Sequence, residues 1–359
     1  MYRNIQLAGY EVPTPIQKCT LPSIHLGYDT IGIAQTGSGK TAAYLIPVLN
    51  KLMGKAKKLA APRPNPTAFE EGVDGPYYRA EPLVVIVAPT RELATQIFNE
   101  ARKFCYRTML RPCVSYGGSP IGQQVSNLRK GCDILVGTPG RLVDFMKRPD
   151  VLSLQRVRYI IIDEADEMLQ DDWTDEMNQI LAGGNQDDGN VRYLLFSATF
   201  PKPLRDLAKE YLASDHVRFR VGRAGSTHTN IKQRVLHVDA SLKRDALMTA
   251  LDSFEPCRTI VFVNNKRMAD DLDDYLFNLQ LPCTSMHADR TQYEREAAMR
   301  GFRSGESPIL ITTGVTARGI DVRNVRHVIN YDLPTMEYGG IEEYIHRIGK
   351  WKRIPQLWE

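Results

Sequence analysis

The sequence predicts an α/β protein built as two tandem units, each a parallel sheet covered by helices. Short, unbroken β-branched runs such as Tyr159-Ile160-Ile161-Ile162 recur along the chain, as expected of strands buried on both faces. Segments carrying helix-start signals separate them. The 359 residues exceed one ordinary core, so the chain divides into units at 1–222 and 232–359. The small polar stretch 223–231, RAGSTHTNI, reads as the linker between them.

Composition narrows the class. An apolar fraction of 43% with 25% charged residues is that of a soluble globular protein. A net charge of +4 permits a polyanionic partner without demanding one. Six cysteines are scattered without a C-x-x-C pair, which suits core thiols in a reducing compartment and gives no zinc or disulfide pattern. No signal peptide or long apolar run suggests export or a membrane span.

Thr14, Pro15 and Gln17 have N-cap, N1 and N3 spacing, so a helix starts there and Gln17 has a structural explanation of its own. Thr30–Ile33 is a short strand, followed by Ala34-Gln35-Thr36-Gly37-Ser38-Gly39-Lys40-Thr41 and an apolar helix. Residues 54–82, rich in Pro, Gly and charge, read as a mobile surface insertion. Strands are expected at 83–89, 113–118, 134–137, 159–162, 193–200 and 217–222. In the second unit they are expected at 235–239, 259–264, 283–288, 308–313 and 327–332, with helices between.

The chemistry lies where strands end, because ligands of open α/β sheets sit beyond the strands' carboxyl ends. The 34–41 loop nearly matches G-x-x-x-x-G-K-[ST], with Ala34 in place of the first Gly. Small residues let backbone N–H groups wrap a phosphate, Lys40 reaches the outer phosphates, and the Thr41 hydroxyl suits Mg²⁺. Asp163 and Glu164 close the 159–162 strand as a Walker B pair, with Asp163 on the metal and Glu164 placed to polarise water. Read alone, Asp166 and Glu167 are equally well acids at a helix start. Arg91, Gly117-Gly118, Thr138 and Arg141 follow three other strands. Helix N-termini, glycine backbones and arginines of this kind grip phosphates without reading bases. The second unit has no phosphate loop but carries Gln292, Arg295, Arg318 and a His346-Arg347 pair. It is suited to delivering an arginine to the nucleotide on closure.

These motifs, GYEVPTPIQ, AQTGSGKT, PTRELA, the Gly-Gly turn, TPGR, DEAD, SAT, TARGID and HRIG, resemble in order and spacing those of the DEAD-box ATP-dependent RNA helicases, in the branch that includes Vasa. The resemblance runs from about Met1 to Gly349 and implies two RecA-like domains, ATP and Mg²⁺ as cofactors, and RNA as partner. It implies that Gln17 recognises adenine and that Thr36, Gly37, Ser38, Gly39, Lys40 and Thr41 bind phosphates. Thr41 and Asp163 would serve the metal, and Lys40, Asp163 and Glu164 catalysis. Asp321 would lie near the ribose. Arg91, Gly118, Thr138 and Arg141 would hold the RNA backbone in the first unit, and Gln292, Arg295 and Thr313 in the second. Asp166, Ser197, Thr199 and His346 would couple hydrolysis to strand separation. The resemblance further implies a cytoplasmic monomer, with nuclear residence left open, working on mRNA with translation-initiation or ribonucleoprotein partners.

The departures are local. The family's last motif reads HRIGRTGR or HRIGRTAR; here it is His346-Arg347-Ile348-Gly349-Lys350-Trp351-Lys352-Arg353. Lys350 replaces one finger arginine, keeping charge without the planar fork, and Arg353 falls on the other finger position by count. The second domain is expected to be incomplete at its C-terminus, and the N-terminus to be clipped, since the family's adenine-stacking aromatic would precede Met1. Gly314 stands where an Asp is common elsewhere in the family. The altered last motif and the incomplete second domain set a weakly catalytic or non-catalytic ATP- and RNA-binding module beside the active helicase; a small residue at 314 is common in this branch and carries little weight. A DNA helicase is a third reading.

Overall fold

The run Tyr159–Asp163 forms β5 at the centre of a seven-stranded, wholly parallel sheet. The computed structural model describes residues 1–35, 37–55, 59, 78–170, 173–183, 190–222, 231–317, 322 and 324–348. The chain divides into two compact units, Met1–Ala224 and Gly225–Glu359.

The first sheet contains β1 (Thr30–Ala34), β2 (Val84–Val87), β3 (Pro112–Ser115), β4 (Ile134–Gly137), β5, β6 (Arg192–Ser197) and β7 (Val217–Val221). Their order is β3-β4-β2-β5-β6-β1-β7. Alternation along β5 splits its side chains between two cores. Ile160 and Ile162 join Ile31, Ile33, Val85 and Val87 on one face. Tyr159 and Ile161 join Val84, Ile86, Leu194 and Phe196 on the other. Both faces are dry, which is why the run is unbroken in the sequence. Each fully buried aliphatic side chain contributes roughly 1.5–3 kcal/mol.

Register aligns the chemistry. Asp163 pairs with Phe196, and Ile33 pairs with Ser197, so β1, β6 and β5 end at one level. Helix α1 (Tyr2–Leu7) and helix α2 (Pro15–Leu26) precede β1, and helix α3 (Lys40–Met53) follows it. At the base of the sheet, buried Asp29 accepts the N–H groups of Tyr193 at 3.0 Å and Ala213 at 2.9 Å. It thereby pins β6 and the chain before β7 to the entrance of β1.

The second unit holds β8 (Arg258–Val263), β9 (Cys283–Met286), β10 (Ile309–Thr313) and β11 (Val325–Asn330), in the order β11-β8-β10-β9 and all parallel. The strand expected at 235–239 does not form. Residues 231–239 have no regular structure, and Val235 and Leu236 are 80% and 71% exposed. The segment has the alternation of a strand but no described neighbour for its backbone, and alternation alone does not supply one. The insertion at 54–82 is also narrower than expected. Ala80 is fully buried and forms a parallel bridge with Leu152, its N–H donating to Val151 O at 2.8 Å. Residues 56–58 and 60–77, and the 223–230 part of the linker, lie outside the described residues.

Arg347 ties the second unit together from helix α14 (Gly340–Ile348). Its guanidinium donates to Glu343 Oε1 at 3.0 Å, Asp332 O at 2.8 Å and Asn264 Oδ1 at 3.0 Å, and lies 5.2 Å from the Phe262 ring centroid. Both charges of the Arg347–Glu343 pair are buried. Gly314 belongs to the same arrangement: a Cβ there would meet Glu343 Oε1 at 1.8 Å. The Glu343 carboxylate fills the volume an aspartate at 314 would need. Arg347→Met leaves Glu343 buried without its cation and is expected to cost about 3–5 kcal/mol in urea unfolding of the full chain. Replacing Glu343 by Leu in the same variant should restore part of that loss. A cost below about 1 kcal/mol for Arg347→Met would show the pair is not the tie described.

Candidate active site

The loop after β1 is shaped by glycines in the left-handed region, Gly37 at φ 80° and Gly39 at φ 90°. Gly39 also permits a close approach: a Cβ there would lie 2.5 Å from Gln17 Nε2. The Gln17 side chain bridges two elements. Its Oε1 accepts the Thr14 N–H at 2.9 Å, the expected capping contact, and its Nε2 donates to Gly39 O at 3.1 Å. Gln17 therefore fixes the phosphate loop against α2 and keeps one amide hydrogen for another acceptor. Lys40 is buried at the start of α3 and folds back to Ala34 O at 2.8 Å. The Ser38 hydroxyl is buried with no partner among the described residues. Thr36 lies outside them.

Asp163 and Glu164 close β5, buried at 2% and 5% exposure. Burial, with the Glu164 charge adding to it, pushes the Asp163 carboxyl up to about 6, against the pull of Lys40. Asp163 Oδ1 accepts the Glu164 N–H at 3.1 Å. Glu164 has φ 54°, a left-handed conformation that costs a non-glycine residue roughly 1–2 kcal/mol. Its Oε2 is buried and unpartnered among the described residues. A strained acid with an open oxygen beside a second acid marks a functional strand end.

Sequence reasoning missed one residue here. Tyr44, wholly buried one turn into α3, donates its hydroxyl to Asp163 Oδ2 at 2.9 Å. Burial and the neighbouring Asp163 push the phenol well above its ordinary range, while a hydrogen bond from Thr41 opposes them. A single hydroxyl thus joins the two side chains expected to serve the metal. The signal was the polar tip of an otherwise core aromatic three residues after Thr41.

The donor set fits Mg²⁺ held chiefly through nucleotide phosphates. Asp163, Glu164 and Thr41 offer hard oxygens, and the open Glu164 oxygen and Ser38 hydroxyl remain for a bound group. Among the described residues no cluster of three or more His, Cys, Asp or Glu is arranged to hold a metal by itself. Such a cage is not what Mg²⁺ in a nucleotide site uses.

Two of the residues expected to couple hydrolysis to strand separation also meet. Asp166, 1% exposed on helix α7 (Ala165–Gln170), accepts both the Thr199 N–H at 2.8 Å and the Thr199 hydroxyl at 2.7 Å. The Ser197 hydroxyl is buried at the end of β6 without a partner among the described residues.

The four residues expected to grip phosphates in the first unit follow three neighbouring strands, β2, β3 and β4. Arg91 opens helix α4 (Arg91–Phe104), capped by Thr90, whose hydroxyl accepts the Leu93 N–H. The Arg91 guanidinium lies against the turn after β3, where a Cβ on Gly118 would meet its Nη1 at 2.2 Å. Gly118 itself has φ 73°. Thr138 caps helix α6 (Pro139–Met146) through its backbone, and its N–H donates to Ser115 O at 3.1 Å. Arg141 rests over Phe145 at 5.5 Å, 3.8 Å from Asp144, with one buried Nη1 lacking a partner among the described residues.

In the second unit, Gln292 and Arg295 lie in the first turn of helix α12 (Gln292–Ser304), and Gln292 Nε2 donates to Glu296 Oε1 at 3.0 Å. Thr313 ends β10 with its hydroxyl 3.1 Å from that of Thr316, and His346 is buried on α14. Arg318, Asp321, Lys350 and Arg353 lie outside the described residues.

Tyr44→Phe is expected to raise the Mg²⁺ concentration needed for tight nucleotide binding about tenfold, read by titrating Mg²⁺ against a fluorescent ATP analogue. Affinity measured in EDTA should not change; an unchanged Mg²⁺ midpoint would remove Tyr44 from the site. Gly118→Ala strains the turn and collides with Arg91. It should weaken single-stranded RNA binding about tenfold while nucleotide affinity holds. Equal loss of both affinities would point to misfolding of the sheet edge instead.

The DEAD/DEAH box helicase family matches residues 14–207, and the helicase conserved C-terminal domain matches residues 242–355. Among solved structures, S. cerevisiae Dbp5 bound to RNA and ADP-BeF3 is similar at 29% identity and a TM-score of 0.80. That alignment covers 97% of this chain and 82% of that one. Mss116p bound to single-stranded RNA and AMP-PNP is similar at 26% identity and a TM-score of 0.80, covering 97% and 69%. Mss116 bound to single-stranded RNA and UDP-BeF gives 27% identity and a TM-score of 0.81, covering 98% and 70%. With two tandem RecA-like sheets, a phosphate loop and paired acids where one sheet's strands end, the chain belongs to the DEAD-box helicase family.

Proposed function

We propose that the chain is an RNA-dependent ATPase that uses ATP binding and hydrolysis to open short RNA duplexes or remodel ribonucleoproteins. One observation supports this above the others. The β1 loop with Lys40 and the β5 acids share a single rigid sheet edge with Arg91, Gly118, Thr138 and Arg141. A nucleotide site and a backbone-gripping strip on one sheet are joined through β5. The related structures described above were solved with RNA and ATP analogues.

In this reading Lys40 leaves Ala34 O to meet the outer phosphates, and Gln17 offers its remaining amide hydrogen to the base. Mg²⁺, when bound, supplies charge neutralisation for the phosphates. Asp163, held at both oxygens by Tyr44 and Glu164 N–H, presents a fixed carboxylate to its shell. Glu164 keeps its open oxygen for the attacking water and accepts the proton. Asp166 holds Thr199, so displacement at the β5 end reaches the segment after β6. Gln292, Arg295 and Thr313 hold RNA from the second unit, and Arg353 and Lys350 serve as its fingers. Contacts to phosphates and 2′-hydroxyls give RNA preference without base specificity. The Vasa-like branch, a cytoplasmic monomer, and mRNA work with translation-initiation or ribonucleoprotein partners complete the proposal.

Lys350 in place of an arginine supports a second reading, a slow or non-hydrolysing ATP- and RNA-binding module. One comparison separates the two. With saturating RNA, Glu164→Gln should lower phosphate release about 10²–10⁴-fold while ATP and RNA still bind. Wild type no faster than Glu164→Gln would establish the binding module. Equal affinity for RNA and DNA of one sequence would overturn the RNA preference.

A further inference from the structure

Beside the segment that Asp166 holds, the first unit has a cleft of about 480 Å³ lined by Phe200, Arg205, Arg218 and Arg220. Phe200 directly follows Thr199. Arg205 projects from helix α9 (Lys202–Tyr211), and Arg218 and Arg220 come from β7 at the sheet edge. We infer that this cleft is a second anion site, separate from the nucleotide and RNA surfaces, and that it takes a small molecule bearing two or more phosphate groups.

The charge is uncompensated. None of the three guanidinium groups has a carboxylate within ion-pair distance among the described residues. Other arginines of the first unit, such as Arg129, Arg148 and Arg156, do have such partners. Helix α9 brings no acid to its first turn. The cations are also placed. Arg218 lies over the Phe200 ring at 5.6 Å, which restrains its long side chain. Arg218 and Arg220 are two apart on a strand, so they share a face with bases roughly 6.7 Å apart. That spacing suits separate phosphate groups, each met by a planar fork.

Edge protection is the plain alternative, since charges on an edge strand discourage pairing with another chain. It accounts for Arg218 and Arg220. It does not account for Arg205 converging from a helix, or for the aromatic wall that orients Arg218. Nor does the cleft continue the RNA strip. Arg91 follows β2, and β7 is four strands away, roughly 19 Å at about 4.8 Å per step.

The test is calorimetric titration of fructose bisphosphate into the full chain, with the phosphate loop saturated by ADP. The probe should bind with a Kd below about 1 mM and about tenfold tighter than orthophosphate. The Arg218→Gln, Arg220→Gln double variant should weaken it about tenfold or more, and Arg205→Gln should weaken it as well. Both variants should keep wild-type ADP affinity, which shows that they fold. Four results would overturn the site: no measurable binding, equal binding by the double variant, displacement of the probe by single-stranded RNA, and displacement by further ADP. The last two would assign the phosphates to surfaces already described.

Discussion

Burial of one strand on both faces is the constraint on which the first unit depends. β5 has no solvent side, so its side chains alternate between two dry cores and its ends alone meet water or ligand. Polar groups on such a strand are tolerable only where it stops. The sheet then ends at one level across β1, β6 and β5, and loops leaving that level inherit the chemistry. Asp163 is costly in this position because its charge is desolvated, and Lys40 compensates only in part. The site therefore favours additional positive charge, which a divalent cation would supply.

That arrangement came at a local conformational cost. Glu164 sits in a left-handed conformation that its side chain disfavours, between a strand that fixes its N-terminal neighbour and a helix that begins at Ala165. The flanking elements over-determine the bend. Strain of this size persists because the burial around it is worth far more. Its effect is to turn the Glu164 carboxylate off the strand's alternation, leaving one oxygen without a partner among the described residues. Tyr44 and the Glu164 N–H meanwhile occupy both Asp163 oxygens. The two adjacent acids are thus inequivalent: one is held, the other is open.

Much of this was legible in the sequence. Unbroken apolar runs identified doubly covered strands, and the spacing of Thr14 and Gln17 identified the start of α2. Other features were not legible, for definite reasons. Periodicity treats Tyr44 as a core aromatic, since a phenol differs from a phenyl only in what its oxygen touches. Residues 235–239 alternate like a strand, but a strand exists only where a neighbour pairs with it. Gly314 stands where an Asp is common elsewhere in the family. The missing carboxylate volume is supplied by Glu343, which reaches the same place from α14. Long-range substitution of that kind leaves no local trace.

The position of β6 brings Ser197 and Thr199 to the level of the β5 acids. β6 is the strand between β1 and β5, so Ser197 lies at the level of both the phosphate loop and the acids. Thr199, two residues on, is held through its backbone and its hydroxyl by Asp166, two residues beyond Glu164. The segment after β6 is therefore fastened at one end by the sheet and at the other by the DEAD helix. The Arg91–Gly118 strip sits on the other side of β5 in the strand order. Among the described residues, the strand that carries the acids pairs with both the nucleotide half and the strip half of the sheet. The double burial that makes Asp163 expensive thus belongs to the strand that joins the two halves.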